Sequence, residues 1–361
     1  MQIRSASRVL VLPLFALVVV LVTSLACGGS TSPTSTPTVK TATPEMAASA
    51  PTSATKSEAK TEAAPTQQPV EQPTEQPTEQ PAVAPKTYLG DSVEGGGYGL
   101  AANEVENPAK PGLLYQAEAG KKLVAVDVVI YNLSGEPLSA NPLNAQLIDK
   151  EGLTFTAELG GRDGQVQTVT LFKGERVRGW IAFEIDENSV PAKLKYSASM
   201  FGGASLEANL EARPADAKPI EFSAAETTPI NSKLGDVVEQ DGYSLSASKV
   251  EDPTKPGILY KAAVDYKLVA VEITVGNVSA ETPLRVNPLS AYLVDTNGYI
   301  YGTELGGRDG QIDTTLNEGL PPGQKMKGWV AFEIPKDATP AVIKYELGAF
   351  SGAFLSAGLA E

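Results

Sequence analysis

Histidine is absent from this 361-residue chain, and cysteine occurs once. Without His there is no Ser–His or Cys–His nucleophile pair, no His-ligated zinc and no general base poised near neutral pH. A lone Cys27 forms no intrachain disulfide and no thiolate cage. Basic residues are also short, 29 Lys and Arg against 43 Asp and Glu, giving a formal charge of −14 and a pI near 4.7. Phosphate backbones and anionic lipid both demand a basic stripe, and none is present, which excludes nucleic acid as a partner. Most enzyme classes lose their usual groups here, and a non-catalytic protein without cofactor or metal is expected. Long helical patterns and, between positions 28 and 85, aromatic residues are missing as well.

What is there begins with an export signal. Arg4 and Arg8 precede a nearly continuous apolar run over 9–22, and small residues lead to Thr23-Ser-Leu-Ala-Cys27-Gly. Ala26 before the thiol and Gly28 after it resemble the bacterial lipobox, in which the Cys is lipidated and becomes the new N-terminus. The resemblance implies residues 1–26 as signal peptide and an exported protein, lipid-anchored through Cys27 to the outer face of the membrane. Residues 27–86 are rich in Pro, Thr, Ser, Ala, Gln and Glu and include a repeating Glu-Gln-Pro-Thr. With so little to bury, this stretch is expected to be a disordered tether. Its Pro content favours extended polyproline, giving a reach on the order of 100 Å.

The rest is a duplication. Glu158-Leu-Gly-Gly-Arg-Asp-Gly-Gln165 returns letter for letter as Glu304 to Gln311. Lys110-Pro-Gly112 returns as Lys255-Pro-Gly257, and Lys122-Leu-Val-Ala-Val126 as Lys267 to Val271. Two domains are therefore expected, over 87–211 and 232–361, joined by a polar linker at 212–231 that holds a possible short strand at Ile220-Glu-Phe222. In each copy apolar β-branched residues alternate: Val124, Val126, Val128 and Ile130 on one face with Asp127 on the other, then Val269, Val271, Ile273 and Val275 with Glu272 opposite. Ile181, Phe183 and Ile185 alternate with Trp180, Ala182 and Glu184, and Val330, Phe332 and Ile334 repeat the pattern. Period two marks strands, and turn signals such as Asp-Gly at 163–164 and 309–310 separate them. An all-β fold of two tandem antiparallel sandwiches follows. Asn132-Leu-Ser134 and Asn277-Val-Ser279 match a glycosylation sequon, but a turn that caps the strand fits an exported bacterial protein better.

Each copy resembles the DUF4352 domain of bacterial surface lipoproteins. The matching residues are Gly97-Tyr98, Tyr115, the 123–132 strand ending in Asn-x-Ser, Asp149-x-x-Gly152, the 179–185 strand and Lys195-Tyr196. In the second copy they are Gly242-Tyr243, Tyr260, 268–277, Asp295-x-x-Gly298, 328–334 and Lys344-Tyr345. The resemblance implies an immunoglobulin-like β-sandwich and no particular chemistry.

Three constellations stand out as candidate sites. In the repeated loop, Glu158, Asp163 and Gln165, with Glu304, Asp309 and Gln311, could offer oxygen ligands to Ca²⁺, although the adjacent Arg works against a cation. Alternatively Arg162 and Arg308 could clamp a carboxylate or phosphate. The structural alternative is a tight glycine turn whose Arg pairs with a neighbouring acid. Next, Trp180 and Trp329 face outward, either as contacts for a sugar or partner or as packing under a loop. Finally, the pairing of Glu158 with Asp163, or Glu184, raises a rival reading, a carboxylate hydrolase acting on wall glycans. The reading the sequence favours is a surface module that binds a protein or glycan, or acts as a spacer.

Overall fold

The computed structural model describes residues 86–113, 115–198, 204–258, 260–312, 319–348 and 352–361. The expectations for the signal, Cys27 and the tether lie outside them. Module 1 consists of β1 (Ser92–Gly95), β2 (Tyr98–Glu106), β3 (Lys121–Asn132), β4 (Leu138–Ala140), β5 (Ala145–Asp149), β6 (Thr154–Glu158), β7 (Val169–Leu171), β8 (Arg176–Asp186), β9 (Pro191–Ser197) and β10 (Ser205–Asn209). Module 2 consists of β11 (Val237–Gln240), β12 (Tyr243–Glu251), β13 (Tyr266–Asn277), β14 (Ala291–Asp295), β15 (Ile300–Gly302), β16 (Lys325–Pro335), β17 (Pro340–Glu346) and β18 (Phe354–Gly358). Among the described residues the only helical turns are two short 3₁₀ segments, Pro142–Asn144 and Pro288–Ser290.

Each module is an immunoglobulin-like antiparallel sandwich. In module 1, β1-β2-β3-β8 face β6-β5-β9-β10, and β6 also crosses to pair with β8 at Ala157–Phe183. In module 2, β11-β12-β13-β16 face β15-β14-β17-β18, with a single bridge from Thr303 to Phe332 at the equivalent crossing. The alternation read from the sequence sets the core. Val124, Val126, Val128 and Ile130 are fully buried with Ile181, Phe183 and Ile185, against Leu147, Leu194 and Tyr196. Each such side chain contributes about 1.5–3 kcal/mol.

The opposite face of β3 is less exposed than a half-buried strand implies. Leu123, Ala125 and Ala182 are buried there with Ala109, and Tyr115 and Trp180 pack on them. The loop after β2 folds back across the sheet, with the Ala109 amide donating to the Leu123 carbonyl at 2.7 Å. Asp127, drawn under this cover, is buried and pairs with Arg178 at 2.7 Å. At the strand end Asn132 is buried, its amide donating to the Glu136 and Leu171 carbonyls at 2.8 Å while its oxygen accepts from the Ser134 amide. Asn277 does the same with Thr282, Leu320 and Ser279. Both are caps, with no free amide to glycosylate.

The stretch 212–231 is not a free linker. Arg213 pairs with the buried Asp91 at 2.5 Å, and the Ser92 amide donates to the Ile220 carbonyl at 2.8 Å. Phe222 sits edge-on to Tyr131 with centroids 5.4 Å apart. The run Ile220-Glu-Phe222 is extended along β1 but forms no strand. A lone aromatic residue in a polar stretch was the signal for this strap.

Both sandwiches belong to one compact unit, and an ion pair closes their junction. Lys344 Nζ lies 3.0 and 2.7 Å from the two oxygens of Glu175 and is only 2% exposed. It is held between the rings of Phe172 and Phe354, 4.2 and 4.6 Å from their centroids. Burial lowers the Lys344 pKa, and Glu175 opposes that shift. Arg176 stacks on Tyr131 of its own module and on Tyr299 of the other, and its amide donates to the Gly298 carbonyl at 2.8 Å. Val294 and Ile300 of module 2 extend the core of module 1.

A buried pair broken from one side leaves an uncompensated charge. Lys344→Met is expected to destabilise the full chain by about 3–5 kcal/mol and Lys344→Met/Glu175→Gln by clearly less. Urea unfolding checks both. A double variant as unstable as the single one would mean that the pair is not the junction's lock.

Candidate functional site

The loop at 158–165 is built around three glycine requirements. Gly160 and Gly164 adopt φ of +73° and +72°, which favours glycine. Gly161 does not share that conformation; a Cβ there would lie 2.8 Å from the Ala182 Cβ, so its constraint is close packing on the sheet. The repeated Lys-Pro-Gly belongs to the same structure. The Gly112 amide donates to the Gly161 carbonyl at 2.8 Å, and a Cβ on Gly112 would meet the Gly160 oxygen at 2.6 Å. Gly257 and Gly307 repeat the bond at 2.9 Å.

The polar side chains close on one another. Arg162 donates through Nε and Nη2 to the two oxygens of Glu106, both at 2.9 Å, and through Nη1 to the Asp163 carbonyl at 2.8 Å. Its guanidinium lies 4.5 Å from the centroid of the Trp180 ring. Arg308 binds Glu251 at 2.9 and 3.2 Å, donates to the Asp309 carbonyl at 2.7 Å and stacks 3.7 Å from Trp329. Gln165 donates to the Glu158 carbonyl at 2.7 Å and accepts from the Gly160 amide at 2.8 Å; Gln311 does the same with Glu304 and Gly306. Trp180 and Trp329 are half-buried beneath the arginines. The residues read as candidate binding groups are therefore brought together, and Arg162, Arg308, Gln165 and Gln311 bond chiefly within their own module. Asp163 and Asp309 remain exposed.

Sequence reasoning missed the acids that hold the arginines. Their signal was present in the spacing, since Glu106 precedes Arg162 by 56 residues and Glu251 precedes Arg308 by 57. Each clamp sets the charge of its acid. Hydrogen bonding from Arg162 lowers the Glu106 pKa, and Arg308, Thr254 and Lys249 hold Glu251 down at about 2. Besides Asp163 and Asp309 the loops turn apolar side chains outward: Leu159 in module 1, where Leu113 is 92% exposed, and Leu305 in module 2, where Ile258 is exposed.

A carboxylate sits beside each loop. In module 1, Glu184 accepts from the Tyr115 hydroxyl at 2.8 Å and from the Glu118 amide at 3.1 Å, and Lys121 lies 3.2 Å away. In module 2, Glu333 accepts from the Tyr260 hydroxyl and from the Ala263 amide, the latter at 2.6 Å. Burial first, then the charge of Glu333, raises the pKa of Glu304. Glycoside hydrolysis needs two carboxyls flanking an open cleft. The cleft at the module junction, about 430 Å³, holds the acids Glu175 and Asp295. Glu175 is bound to Lys344, and Asp295 accepts from the Asn297 and Tyr299 amides and the Tyr301 hydroxyl. Among the described residues, no group of three or more His, Cys, Asp or Glu is placed to hold a metal ion.

The profile of a family described as a domain of unknown function, DUF4352, matches residues 87–207 and again 232–355. The chain belongs to the DUF4352 family. YxkC of Bacillus subtilis strain 168 is 29% identical over 114 residues, which are 29% of this chain and 63% of YxkC. Among solved structures, YcdA of Bacillus subtilis is 14% identical with a TM-score of 0.30, over 34% of this chain and 39% of YcdA. The secreted protein MPT63 of Mycobacterium tuberculosis is 16% identical with a TM-score of 0.28, over 37% of this chain and 97% of MPT63. Membership of DUF4352 fixes kinship of the two modules and assigns no reaction.

Two acids should respond oppositely to pH. Glu251 is depressed when folded, so its stabilisation is present above its ordinary value of 4.5 and is lost as pH falls towards about 2. Glu304 is raised, so its contribution is favourable below 4.5 and is lost as pH rises through the raised value. Glu251→Gln is expected to lower the melting temperature at neutral pH, with the penalty shrinking in acid. Glu304→Gln should raise it at neutral pH and change nothing in acid. Thermal melts of the two variants across pH check both signs.

Proposed function

We propose that this chain is an exported, non-catalytic lipoprotein, anchored through Cys27, whose tether at 27–86 carries a rigid two-module head for binding or spacing at the outer face of the membrane. The observation that carries the non-catalytic part is the closure of the repeated loops: Arg162 and Arg308 are each held by an acid of their own module. A guanidinium bound on its fork to a carboxylate has little left for a substrate. The junction supports rigidity, since separating the modules would strand Lys344 and Glu175. A stiff head in two copies suits engagement of a surface protein or glycan at two points, or a fixed distance between other components.

The anchor follows from the lipobox-like run ending at Cys27. Each buried acyl methylene contributes about 0.8 kcal/mol, so two or more chains hold the protein essentially permanently. In a bacterial host the wild-type protein is expected in the membrane fraction with incorporated labelled palmitate. Cys27→Ala should lose the label and its detergent requirement for extraction. An unlabelled wild type found in the soluble fraction would refute the anchor.

A further inference from the structure

The two modules share their framework but differ at one exposed end. In module 1 the turn before β3 is Glu118-Ala-Gly-Lys121; in module 2 the same four positions are Ala263-Val-Asp-Tyr266. Module 1 closes this end with its own charges, because Lys121 bridges Glu118 and Glu184 at 3.2 Å. Module 2 keeps both acids, Glu333 in the place of Glu184 and Glu304 in the place of Glu158, but has lost the lysine. No lysine or arginine forms an ion pair with either acid among the described residues, and the loop's own cations, Lys255 and Lys261, form none.

In place of the charges module 2 shows apolar surface: Val264 is 86% exposed and Tyr266 is exposed. They add to Ile258 and Leu305, whose counterparts Leu113 and Leu159 are exposed in module 1 as well. Backbone bonds bring these segments together. Gly257 is bonded to Gly307, two residues from Leu305, and the Ala263 amide, next to Val264, is bonded to Glu333. Leu268, two residues after Tyr266, pairs with Glu333 across β13 and β16. The tip is also fixed in shape. Asp265 adopts φ of 70°, where module 1 uses Gly120 at 81°, and its carbonyl accepts from the Lys336 amide at 3.0 Å. A non-glycine residue in that conformation persists only where its surroundings hold it.

We propose that this end of module 2, with Ile258, Val264, Tyr266 and Leu305 around Glu304 and Glu333, docks a lysine side chain that a partner polypeptide presents between apolar residues. Charge complementarity selects the cation, and module 1 shows the same acid position taking a lysine ammonium. The apolar collar selects the flanks, and tyrosine rings beside a carboxylate suit an ammonium's charge and its methylene stem. The head's acidity favours a basic polypeptide over an anionic membrane. The inference rests on the reading of the head as a binding module and is independent of the anchor.

The test uses the full chain and the peptide acetyl-Leu-Lys-Leu-amide, followed by thermophoresis. Saturable binding is expected, with acetyl-Leu-Gln-Leu-amide about tenfold weaker. Tyr266→Lys, which installs the residue that module 1 carries there, should weaken the lysine peptide by about tenfold as well. Glu333→Gln should do the same, with circular dichroism confirming that both variants are folded. Equal affinity for the two peptides, indifference to Tyr266→Lys, or no saturable binding would overturn the proposal. So would sedimentation of the Cys27→Ala chain with phosphatidylcholine vesicles that Tyr266→Lys abolishes, which would assign the collar to lipid. Failure here leaves the fractionation result for Cys27 untouched, so the two readings fail separately.

Discussion

Eleven consecutive residue pairs between β3 and β8, and eleven between β13 and β16, are the seam on which each module depends. In an antiparallel pair, alternate side chains point to opposite faces, so this one register sorts everything else. Val124, Val126, Val128 and Ile130 go to the core with Val177, Ile181, Phe183 and Ile185. Asp127, Trp180 and Glu184 go to the other face, where they receive Arg178, Arg162 and Tyr115. A slip of one residue would exchange the two sets, putting Asp127 and Glu184 into the core. The candidate loop is therefore positioned by the seam before any of its own bonds form.

The outer face then imposes a second constraint, the cost of leaving a charge half-desolvated without a partner. Arg162 on Glu106, Arg178 on Asp127, Arg213 on Asp91 and Lys344 on Glu175 are all answers to it. The first two have counterparts in the other module, Arg308 on Glu251 and Lys327 on Glu272. Arg213 ties the strap to module 1, and Lys344 ties module 2 to module 1, so they act on the assembly of the head rather than on a single sandwich. Such pairs add little net stability compared with apolar packing, but they penalise every arrangement that separates the partners.

How much of this the sequence disclosed depended on whether a feature was local and periodic. Strands such as 123–131 were legible because β-branched residues alternate there, and the 160 and 164 glycines because tight turns favour glycine. That Lys110-Pro-Gly112 and the 158–165 loop form one structure was not legible, since Gly112 meets the loop through backbone contacts on Gly160 and Gly161 that no side-chain pattern marks. The partner of Arg162 was hidden for a similar reason, because many acids lie at plausible distances along the chain. Lys344 shows the limit most clearly. Lys195 and Lys344 occupy the same place in the same Lys-Tyr motif, yet Lys195 is half-buried and Lys344 is sealed by another module. No pattern within one repeat encodes a contact between repeats.

A duplicated chain offers a further comparison that a single domain does not. Where the copies agree, as in the loop, its glycines and its clamping acid, the shared fold accounts for the agreement, because each residue has a structural task in both modules. Agreement is therefore weak evidence for a binding role, and the most conspicuous repeat in this sequence proved to be internally bonded. Differences at buried positions are also explained by packing, as with Gly99 and Tyr131 under Phe222 in module 1, against module 2, where a Cβ on Gly276 would meet the Ser244 hydroxyl. What packing does not explain is a difference at an exposed position that removes a cation from a carboxylate and places Val264 and Tyr266 in water. Folding gains nothing from that exchange, since it exposes apolar surface and leaves Glu333 without the neutralising charge that Lys121 gives Glu184. The balance is restored only if something outside the module supplies both the cation and the cover.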